Sequence, residues 1–182
     1  MDLITLDFET FYDKDFSLSK LTTEEYIRDP RFQIIGVGVK LNDSDTEWAS
    51  GTYEEIEEFL ADPLYDWDSS MVLAHNTLFD GAILSWLFGI KPRVWADTLS
   101  IGRAVHGVEV SGSLKALAER YGVGQKGTEV LDAKGKRRED FTEEELSRYG
   151  DYCINDVDLT YKLFHILVKQ FGDKKELRLV DL

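Results

Sequence analysis

The hydrophobic and polar positions of residues 1–50 predict three consecutive β-strands. Residues 3–8 form an apolar run, and residues 32–41 are rich in Ile and Val, as expected of buried strands. Residues 46–49 predict a third strand, which pairs with the second across a turn at residues 42–45. The chain is therefore expected to open as an antiparallel β-meander.

The next part of the chain is predicted to contain several helices and one further short strand. Residues 54–60 have helical periodicity, and the short apolar run at residues 71–75 favours a strand. Residues 78–88 are apolar on nearly all sides, which predicts a buried helix. Two more helices are predicted at residues 99–105 and 114–121. At 182 residues, a single α/β or α+β domain is the starting expectation.

The helix predicted at residues 78–88 follows two residues that are able to cap it. Either Asn76 or Thr77 is expected to cap the helix through its side-chain oxygen, and Asp80 in the first turn favours the helix dipole. The large apolar side chains of this region are expected in the core, namely Leu78, Phe79, Trp86 and Trp95.

A long final helix is predicted up to residue 171. Thr142 with Glu145 three positions later predicts a capping box at its start. Apolar residues recur at helical spacing and predict a core face formed by Ile154, Val157, Tyr161, Phe164 and Val168. A second face is expected in solvent, formed by Asp151, Asn155, Asp158 and Lys162.

The composition indicates one globular domain over residues 1–182. Hydrophobic residues make up 43% and charged residues 31% of the chain, which is enough apolar surface for a core. No apolar run is long enough to span a bilayer, and the N-terminus lacks the features of a signal peptide. The single cysteine, Cys153, favours a reducing, cytoplasmic location. We accordingly expect no membrane partner.

The net charge of −14 argues against nucleic-acid binding through basic side chains, which normally contact the phosphates. The objection weakens if part of the charge is a carboxylate cluster that binds metal ions, because bound cations reverse the local field. Solubility alone is the alternative explanation of the acidic balance.

Three short motifs carry candidate carboxylates. Asp7 and Glu9 lie two apart at the end of the first strand, so alternation places them on one face. Asp80 opens the helix at residues 78–88, and Tyr152 and Asp156 share a face of the final helix because they are four apart. Each motif alone has a structural explanation as a strand end, a first-turn acid or a packing pair.

Together, the motifs resemble the three exonuclease motifs of the DEDD superfamily in order and spacing. They are Asp7-Phe8-Glu9, the segment 76–80 that ends in Phe79-Asp80, and the segment 152–156. The likeness extends to residues 34–39 and 97–99, which with Asp7-Phe8-Glu9-Thr10 resemble the proofreading exonuclease domains of phage and bacterial family A DNA polymerases. This resemblance implies the ribonuclease H-like fold, a mixed β-sheet (antiparallel meander plus parallel strand) flanked by helices.

The resemblance also selects a branch. Members with a histidine base carry it five residues before the last aspartate, where this chain has Asp151. Tyr152 occupies the tyrosine position, which implies the tyrosine (DEDDy) branch. His75, His106 and His165 are then interpreted as ordinary surface or packing residues.

The resemblance implies a two-metal site for Mg²⁺ or Mn²⁺. Asp7 would bridge both ions, Glu9 and Asp156 would hold the catalytic one, and Asp80 would anchor the second. Tyr152 would orient the attacking water, because a phenol is a poor base at neutral pH. The terminal nucleotide would contact Phe8, Thr10 and Asn76.

The implied activity is removal of nucleotides from the 3′ end of single-stranded DNA, in a bacterial or phage-infected cytoplasm. A family A DNA polymerase domain or subunit is the implied partner, and residues 176–182 resemble the start of a linker to it. An RNase D-like exoribonuclease and an inactive exonuclease-fold binding module are the alternatives.

One loop has no assigned role. Residues 124–141, within a glycine-rich stretch that begins at residue 122, are expected to be exposed and mobile. A basic cluster in this loop consists of Lys134, Lys136, Arg137 and Arg138. Contact of these side chains with phosphates is one interpretation, but simple solvation is favoured because charged loop residues are usually solvated.

Overall fold

The computed structural model describes residues 1–127 and 132–171, and one five-stranded mixed sheet organises them. The strands are β1 Leu3–Thr10, β2 Ile34–Leu41, β3 Glu47–Ala49, β4 Met71–Ala74 and β5 Val94–Asp97. They lie in the order β3-β2-β1-β4-β5. The pairs β1–β2 and β2–β3 are antiparallel, whereas β1–β4 and β4–β5 are parallel. The predicted meander next to parallel pairing is confirmed.

Helices flank this sheet. They are α1 Thr23–Arg28, α2 Tyr53–Leu60, α3 Thr77–Leu87, α4 Thr98–His106, α5 Leu114–Tyr121 and α6 Glu143–Phe171. The sequence pattern missed α1 and β5. The short α1 buries only Tyr26 and Ile27 and is held by a capping box between Thr22 and Glu25. No helix within the described residues is long and apolar enough to cross a membrane.

Two glycines of β2 leave room for neighbouring side chains, Gly38 for α6 and Gly36 for Trp48 of β3. Asp7 pairs with Gly38 and Glu9 pairs with Gly36 across the β1–β2 ladder. A Cβ atom on Gly38 would lie 3.0 Å from Sγ of Cys153 on α6, and one on Gly36 would lie 2.2 Å from the ring of Trp48. The missing side chains therefore let α6 pack directly beside the end of β1.

The prediction that α3 is a buried helix is wrong for one of its faces. Phe79 is buried, but Leu78 is 64% and Trp86 is 48% exposed, and Trp95 is half-buried. The helix packs on β1, β4 and β5 and against α1, and it turns Leu78 and Trp86 to solvent. Because α3 is apolar all round, its sequence carried no signal for which side faces out.

The predicted side-chain cap of α3 is also wrong. Asn76 precedes the helix in a left-handed conformation, with φ of 75°, and its side chain makes no capping hydrogen bond. The hydroxyl of Thr77 instead donates to the carbonyl oxygen of Ala96, 2.6 Å away, and ties the start of α3 to β5.

The capping box that begins α6 is confirmed. The main-chain N–H of Glu145 donates to Oγ1 of Thr142 at 3.2 Å, and the N–H of Thr142 donates to Oε2 of Glu145 at 3.0 Å. The predicted core face of the helix needs correction. Of its five residues only Val157 is fully buried, and Ile154, Tyr161, Phe164 and Val168 are half-buried.

The true buried face of α6 is broader and is centred on neighbouring positions, because the helix contacts β1 and β2 near its start and α4 and α5 further on. Its buried residues are Tyr149, Gly150, Tyr152, Cys153, Asp156, Val157, Leu159, Thr160, Leu163 and Leu167. The predicted solvated face also needs correction at Asp158. Oδ1 of Asp158 accepts hydrogen bonds from Lys40 Nζ at 3.0 Å and from Thr46 Oγ1 at 2.7 Å.

The described parts of the loop at residues 122–140 pack against the domain. Ala133 is buried with Ile35 and Tyr149 in one cluster. In the basic cluster, Lys136 Nζ donates to Oε1 of Glu145 at 2.6 Å, and Arg138 Nε donates to Oγ of Ser50 at 3.1 Å. These two cations therefore have partners within the protein. Residues 128–131 and the proposed linker at 176–182 lie outside the described residues, and mobility of the loop stays a prediction.

Candidate active site

The end of β1 places two carboxylates on the sheet face that α6 covers. Asp7 is half-buried and Glu9 is 7% exposed, while the ring of Phe8 points to the opposite face and packs 6.2 Å from that of Phe88. A carboxylate oxygen of Asp7, one of Glu9 and Sγ of Cys153 all lie within 4.8 Å of one another. The alternation of side chains along β1 thus places both carboxylates on one face of the sheet, as expected from the sequence.

Asp80 joins this site from the first turn of α3. Its side chain is 2% exposed, and Oδ1 accepts a hydrogen bond of 2.9 Å from the main-chain N–H of Phe8. The bond links α3 to β1 between Asp7 and Glu9. Asp80 is therefore held in place by the strand that carries the other two carboxylates.

Asp156 approaches from α6 with a cation beside it. The carboxylate is 3% exposed, and its Oδ2 pairs with Nζ of Lys126 from the loop before α6. The same Nζ lies 4.9 Å from the ring centroid of Tyr152, which is one turn before Asp156. Lys126 was not anticipated from the sequence, because loop residues thirty positions from a carboxylate give no local signal of contact.

The electrostatics of the cluster follow from burial of like charges. Burial and the charge of Asp156 raise the pKa of Asp7 to about 7, although Lys126 opposes the shift. Burial and the charge of Asp7 also hold the pKa values of Glu9 and Asp80 well above the usual range. The four carboxylates are thus close enough to disfavour one another's ionisation, which a bound cation would relieve.

Tyr149 is a second site residue that sequence reasoning missed. It is 2% exposed, and its hydroxyl donates to Oε2 of Glu9 at 2.6 Å. Tyr149, Tyr152 and Asp156 follow one another at spacings of three and four on α6, so one helix face presents all three. Helical spacing from Tyr152 was the signal that could have found it.

Neither tyrosine is suited to act as a base. Burial and the neighbouring carboxylates, Glu9 for Tyr149 and Asp156 for Tyr152, raise both pKa values above the ordinary range of a phenol. Both hydroxyls remain protonated at neutral pH and are available to donate hydrogen bonds. Cys153 also stays protonated, because burial and Asp7 raise the pKa of its thiol.

The donor set fits hard divalent cations. Mg²⁺ and Mn²⁺ prefer carboxylate oxygens, and the cluster combines four carboxylates, three of them almost fully buried. The position of Lys126 Nζ beside Asp156 indicates that a positive charge is accommodated there. Asp7, Glu9, Asp80 and Asp156 are the residues that would hold the ions.

A pocket of about 240 Å³ opens next to Glu9 and includes two of the three residues predicted to contact substrate. Phe8 and Thr10 line it together with Leu18, Tyr26 and Phe79. We call it the terminal pocket. Asn76 is not among its lining residues; its main-chain N–H donates to Oδ1 of Asp97 at 2.8 Å. Contact of these residues with substrate stays a prediction.

The histidines lie outside the carboxylate cluster. Nδ1 of His75 is 2.8 Å from Oγ1 of Thr98, and burial lowers the pKa of this histidine to about 4. Nε2 of His106 is 2.6 Å from the hydroxyl of Tyr121. The ring of His165 packs against those of Tyr161 and Phe164. The interpretation of the three histidines as bystanders stays a prediction.

The mixed sheet, the flanking helices and the site at the end of β1 define a protein of the ribonuclease H-like fold. The chain belongs to the 3′-5′ exonuclease family, whose model matches residues 54–171. The match begins after β1, so it includes Asp80, Tyr152 and Asp156 but not Asp7 or Glu9. The resemblance inferred from the motifs is thereby confirmed.

Solved structures share the fold at low identity. NrnC from Brucella melitensis is 16% identical with a TM-score of 0.65, and the match covers 96% of this chain and 78% of that one. The family B DNA polymerase of Pyrobaculum calidifontis is 17% identical with a TM-score of 0.68, covering 92% of this chain and 24% of the polymerase.

RNase D from Trypanosoma brucei, solved in complex with RNA U12, is also similar. It is 17% identical with a TM-score of 0.66, and the match covers 94% of this chain and 56% of RNase D. No curated protein matches the sequence.

Proposed function

We propose that this protein is a metal-dependent exonuclease that removes nucleotides from the 3′ end of single-stranded DNA. The observation that carries the proposal is the meeting of four carboxylates from β1, α3 and α6 in one largely buried cluster. So many buried acids are costly unless cations neutralise them. Membership in the 3′-5′ exonuclease family supplies the reaction class.

Asp7, Glu9, Asp80 and Asp156 hold two divalent ions in this proposal, Mg²⁺ or Mn²⁺. When bound, the ions would supply an activated water and neutralise the charge that develops on the scissile phosphate. Tyr152 and Tyr149 keep their protons and act by donating hydrogen bonds. Tyr149 fixes the orientation of Glu9, and Tyr152 positions the attacking water beside Asp156. Brucella melitensis NrnC has been solved with bound Mg²⁺.

The preference for DNA is supported by the resemblance of the motifs to the proofreading exonuclease domains of family A DNA polymerases. In the terminal pocket, Oγ1 of Thr10 lies 2.9 Å from the hydroxyl of Tyr26, which also donates to the carbonyl oxygen of Phe11. The hydroxyl of Tyr149 donates to Oε2 of Glu9. A hydroxyl oxygen in one hydrogen bond retains a lone pair that can accept another, so these contacts do not by themselves distinguish a ribose from a deoxyribose.

An exoribonuclease is the rival within the same fold. The Trypanosoma brucei RNase D structure contains RNA, and Brucella melitensis NrnC has been solved with pGG. Under this alternative the 2′-OH would donate to a hydroxyl oxygen of the terminal pocket, such as Oγ1 of Thr10. The four carboxylates would serve the same chemistry, so the two alternatives differ in substrate and not in mechanism.

Proofreading for a DNA polymerase is the proposed setting. With a net charge of −14, the protein has little general attraction for DNA beyond its metal site, so an attached or associated family A polymerase would deliver the 3′ end. The fold occurs within the longer chain of the Pyrobaculum calidifontis family B polymerase. An inactive exonuclease-fold module is the alternative outside enzymes, and the complete carboxylate set counts against it.

The decisive experiment compares matched DNA and RNA strands. Single strands of one sequence, labelled at either end, are incubated with Mg²⁺ or EDTA and with the wild type, Asp7→Ala or Asp151→Ala. Asp151 is exposed on α6 and serves as the matched control. We expect Mg²⁺-dependent shortening from the 3′ end, fastest on DNA, which Asp7→Ala abolishes and Asp151→Ala retains.

Two results would contradict the proposal. Shortening that is unaffected by EDTA or by Asp7→Ala, or no shortening at all, would exclude the carboxylate-metal mechanism. A clear preference for the RNA strand would retain the mechanism and replace the substrate.

A further inference from the structure

A solvent-open groove of about 360 Å³ runs along the outer side of α3, where the sequence had predicted core. Leu78, Ala82 and Trp86 from α3 and Lys91 and Trp95 from the segment after it are among the residues that line it. We call this feature the α3 groove. It has no assigned role in the chemistry proposed above.

The apolar surface of the groove is continuous along the helix. Leu78, Ala82 and Trp86 follow one another at intervals of four, so they form a single stripe, and the helix rises about 12 Å from the first to the last. Leu78 is 64% and Trp86 is 48% exposed, and the half-buried ring of Trp95 forms the floor under Gly81. Leu78 and Trp86 therefore face solvent two turns apart, with the buried Ala82 between them.

The charge of the groove contrasts with that of the whole chain. None of the described residues that line it is acidic, although the protein carries a net charge of −14. Lys91 is exposed at its rim, and the guanidinium carbon of Arg28 lies 5.3 Å from the ring centroid of Trp86. Arg28 also forms an ion pair with Glu24 at 3.0 Å. Lys91 is therefore the cation more available to contact a phosphate. Exposed aromatic surface next to cations suits a polyanion that carries bases.

The groove begins at the end of α3 that carries Asp80. Leu78 and Asp80 both belong to the first turn and a half of α3, but because they are two positions apart their side chains point to different sides of the helix. A strand whose last nucleotide reaches Asp80 would therefore pass over the N-terminal end of α3, where Thr77 lines the groove, to bring its preceding nucleotides to Leu78. Beyond Leu78, the apolar stripe leads away from the cluster toward Trp86.

We propose that the α3 groove binds single-stranded nucleic acid upstream of the 3′-terminal nucleotide, with bases against Leu78 and Trp86 and phosphates near Lys91. This proposal rests on the proposed exonuclease function, which places the 3′ end of the bound strand at the carboxylate cluster. The groove would then favour strands longer than a dinucleotide.

The test measures how the effect of each variant depends on strand length. Rates of Mg²⁺-dependent degradation of (dT)12 and (dT)2 are compared for the wild type, Trp86→Ala, Leu78→Ala and Leu64→Ala. Leu64 is the matched control because it is 56% exposed and lies outside the groove. We expect Trp86→Ala to raise the KM for (dT)12 about 10-fold with kcat unchanged, since stacking on one aromatic ring is lost. The KM of Trp86→Ala for (dT)2 should equal that of the wild type. Leu64→Ala should have wild-type KM values for both strands.

A binding measurement separates this proposal from the proposed function. Anisotropy of 5′-fluorescein-(dT)12 with the protein in Ca²⁺ reports binding whether or not the strand is cut. Lys91→Gln should weaken binding and reduce the slope of log affinity against log salt by about 0.7, as expected for one lost phosphate contact. Lys169→Gln, which alters an exposed lysine on the last turn of α6, should leave the slope unchanged.

The outcomes are distinct. A wild type that binds (dT)12 through Trp86 and Lys91 but cuts no strand would contradict the proposed function and retain the groove. Equal effects of Trp86→Ala on (dT)12 and (dT)2, or none on either, would overturn the groove proposal. Unchanged binding of (dT)12 together with loss of self-association in Trp86→Ala would assign the groove to a second protein chain and also overturn it.

Discussion

The hydroxyl of Tyr149 donates a hydrogen bond to Oε2 of Glu9, with 2.6 Å between the two oxygen atoms. Tyr149 lies one turn before Tyr152 on α6, so a single helix face supports both a metal-ligand candidate on β1 and the predicted water-orienting tyrosine. A hydrogen bond to a charged group contributes roughly 1.5–3 kcal/mol. The orientation of Glu9 therefore depends on a residue outside the motifs.

Replacement of this tyrosine tests the dependence directly. Tyr149→Phe should lower kcat for Mg²⁺-dependent degradation of a DNA strand about 10-fold or more, because Glu9 loses its donor. Tyr161→Phe, which alters a half-buried tyrosine on another side of α6, should have wild-type activity. Wild-type kcat in Tyr149→Phe would mean that the hydrogen bond serves packing alone.

Lys126 occupies the position of a competing cation beside Asp156. Lys126→Met should lower the dissociation constant for Mn²⁺, measured by calorimetry, by about 10-fold, since no ion pair has to be broken before the metal binds. The same variant should melt at a lower temperature than the wild type in EDTA, because a buried carboxylate loses its partner. Lys115→Met, at an exposed lysine of α5, is the control. Weaker Mn²⁺ binding in Lys126→Met would show that the lysine supports the metal site instead of competing for it.

Asp7 is predicted to lower stability in the absence of metal while being essential to function. Asp7→Asn removes one of the mutually repelling charges, so the metal-free protein should melt higher at pH 8, by about 2–10 °C for about 1–3 kcal/mol. Activity should fall at least about 10³-fold. Melting curves with and without Mg²⁺ check both halves, because the stabilisation by Mg²⁺ seen in the wild type should largely disappear. A variant that melts lower in EDTA would contradict the proposed repulsion.

The raised pKa of Asp7 predicts how stability depends on pH. The folded protein keeps the Asp7 proton up to about pH 7, whereas the unfolded chain releases it near 3.8. The folded state binds more protons in this window, so the contribution to stability is fully present below it and is lost as pH rises through about 7. Glu9 and Asp80 shift in the same direction.

The corresponding measurement is melting in EDTA at pH 5.5 and pH 8. We expect the lower melting temperature at pH 8, and we expect saturating Mg²⁺ to raise it there by about 5–10 °C at 100 times its dissociation constant. At pH 5.5 the gain from Mg²⁺ should be smaller, because protons compete for the same oxygens. An equal gain at both pH values would indicate that these carboxylates are not the metal ligands.

The strand and motif patterns predicted that several residues of the candidate site share a face. Whether a residue could be placed in this way depends on whether its position follows from a local pattern. Alternation along β1 is a local property, so Asp7 and Glu9 were expected on one face. Helical spacing likewise joined Tyr152 to Asp156. The contact of Lys126 with Asp156 depends instead on how a long loop returns to α6, and no local pattern encodes that path.

The sequence also did not show which side of α3 faces solvent or which residues of α6 are buried. The reason is again that both depend on packing against distant segments. A helix that is apolar on all sides fits several orientations, and only packing against α1, β1, β4 and β5 decides that Leu78 and Trp86 face solvent. On α6, contacts with four strands and two helices broaden the buried face beyond a single stripe. Tyr149 shares the helical spacing of Tyr152 and Asp156, but only the packing of α6 shows that its hydroxyl reaches Glu9.

The candidate ligands come from only three segments of the chain: β1, the first turn of α3 and the middle of α6. Gly38 on β2 lets α6 approach the end of β1 closely. The described residues that connect the three segments contribute no carboxylate to the cluster. Sequence variation in the connections is therefore compatible with an unchanged arrangement of the carboxylates, just as the fold is shared with solved structures at 16–17% identity.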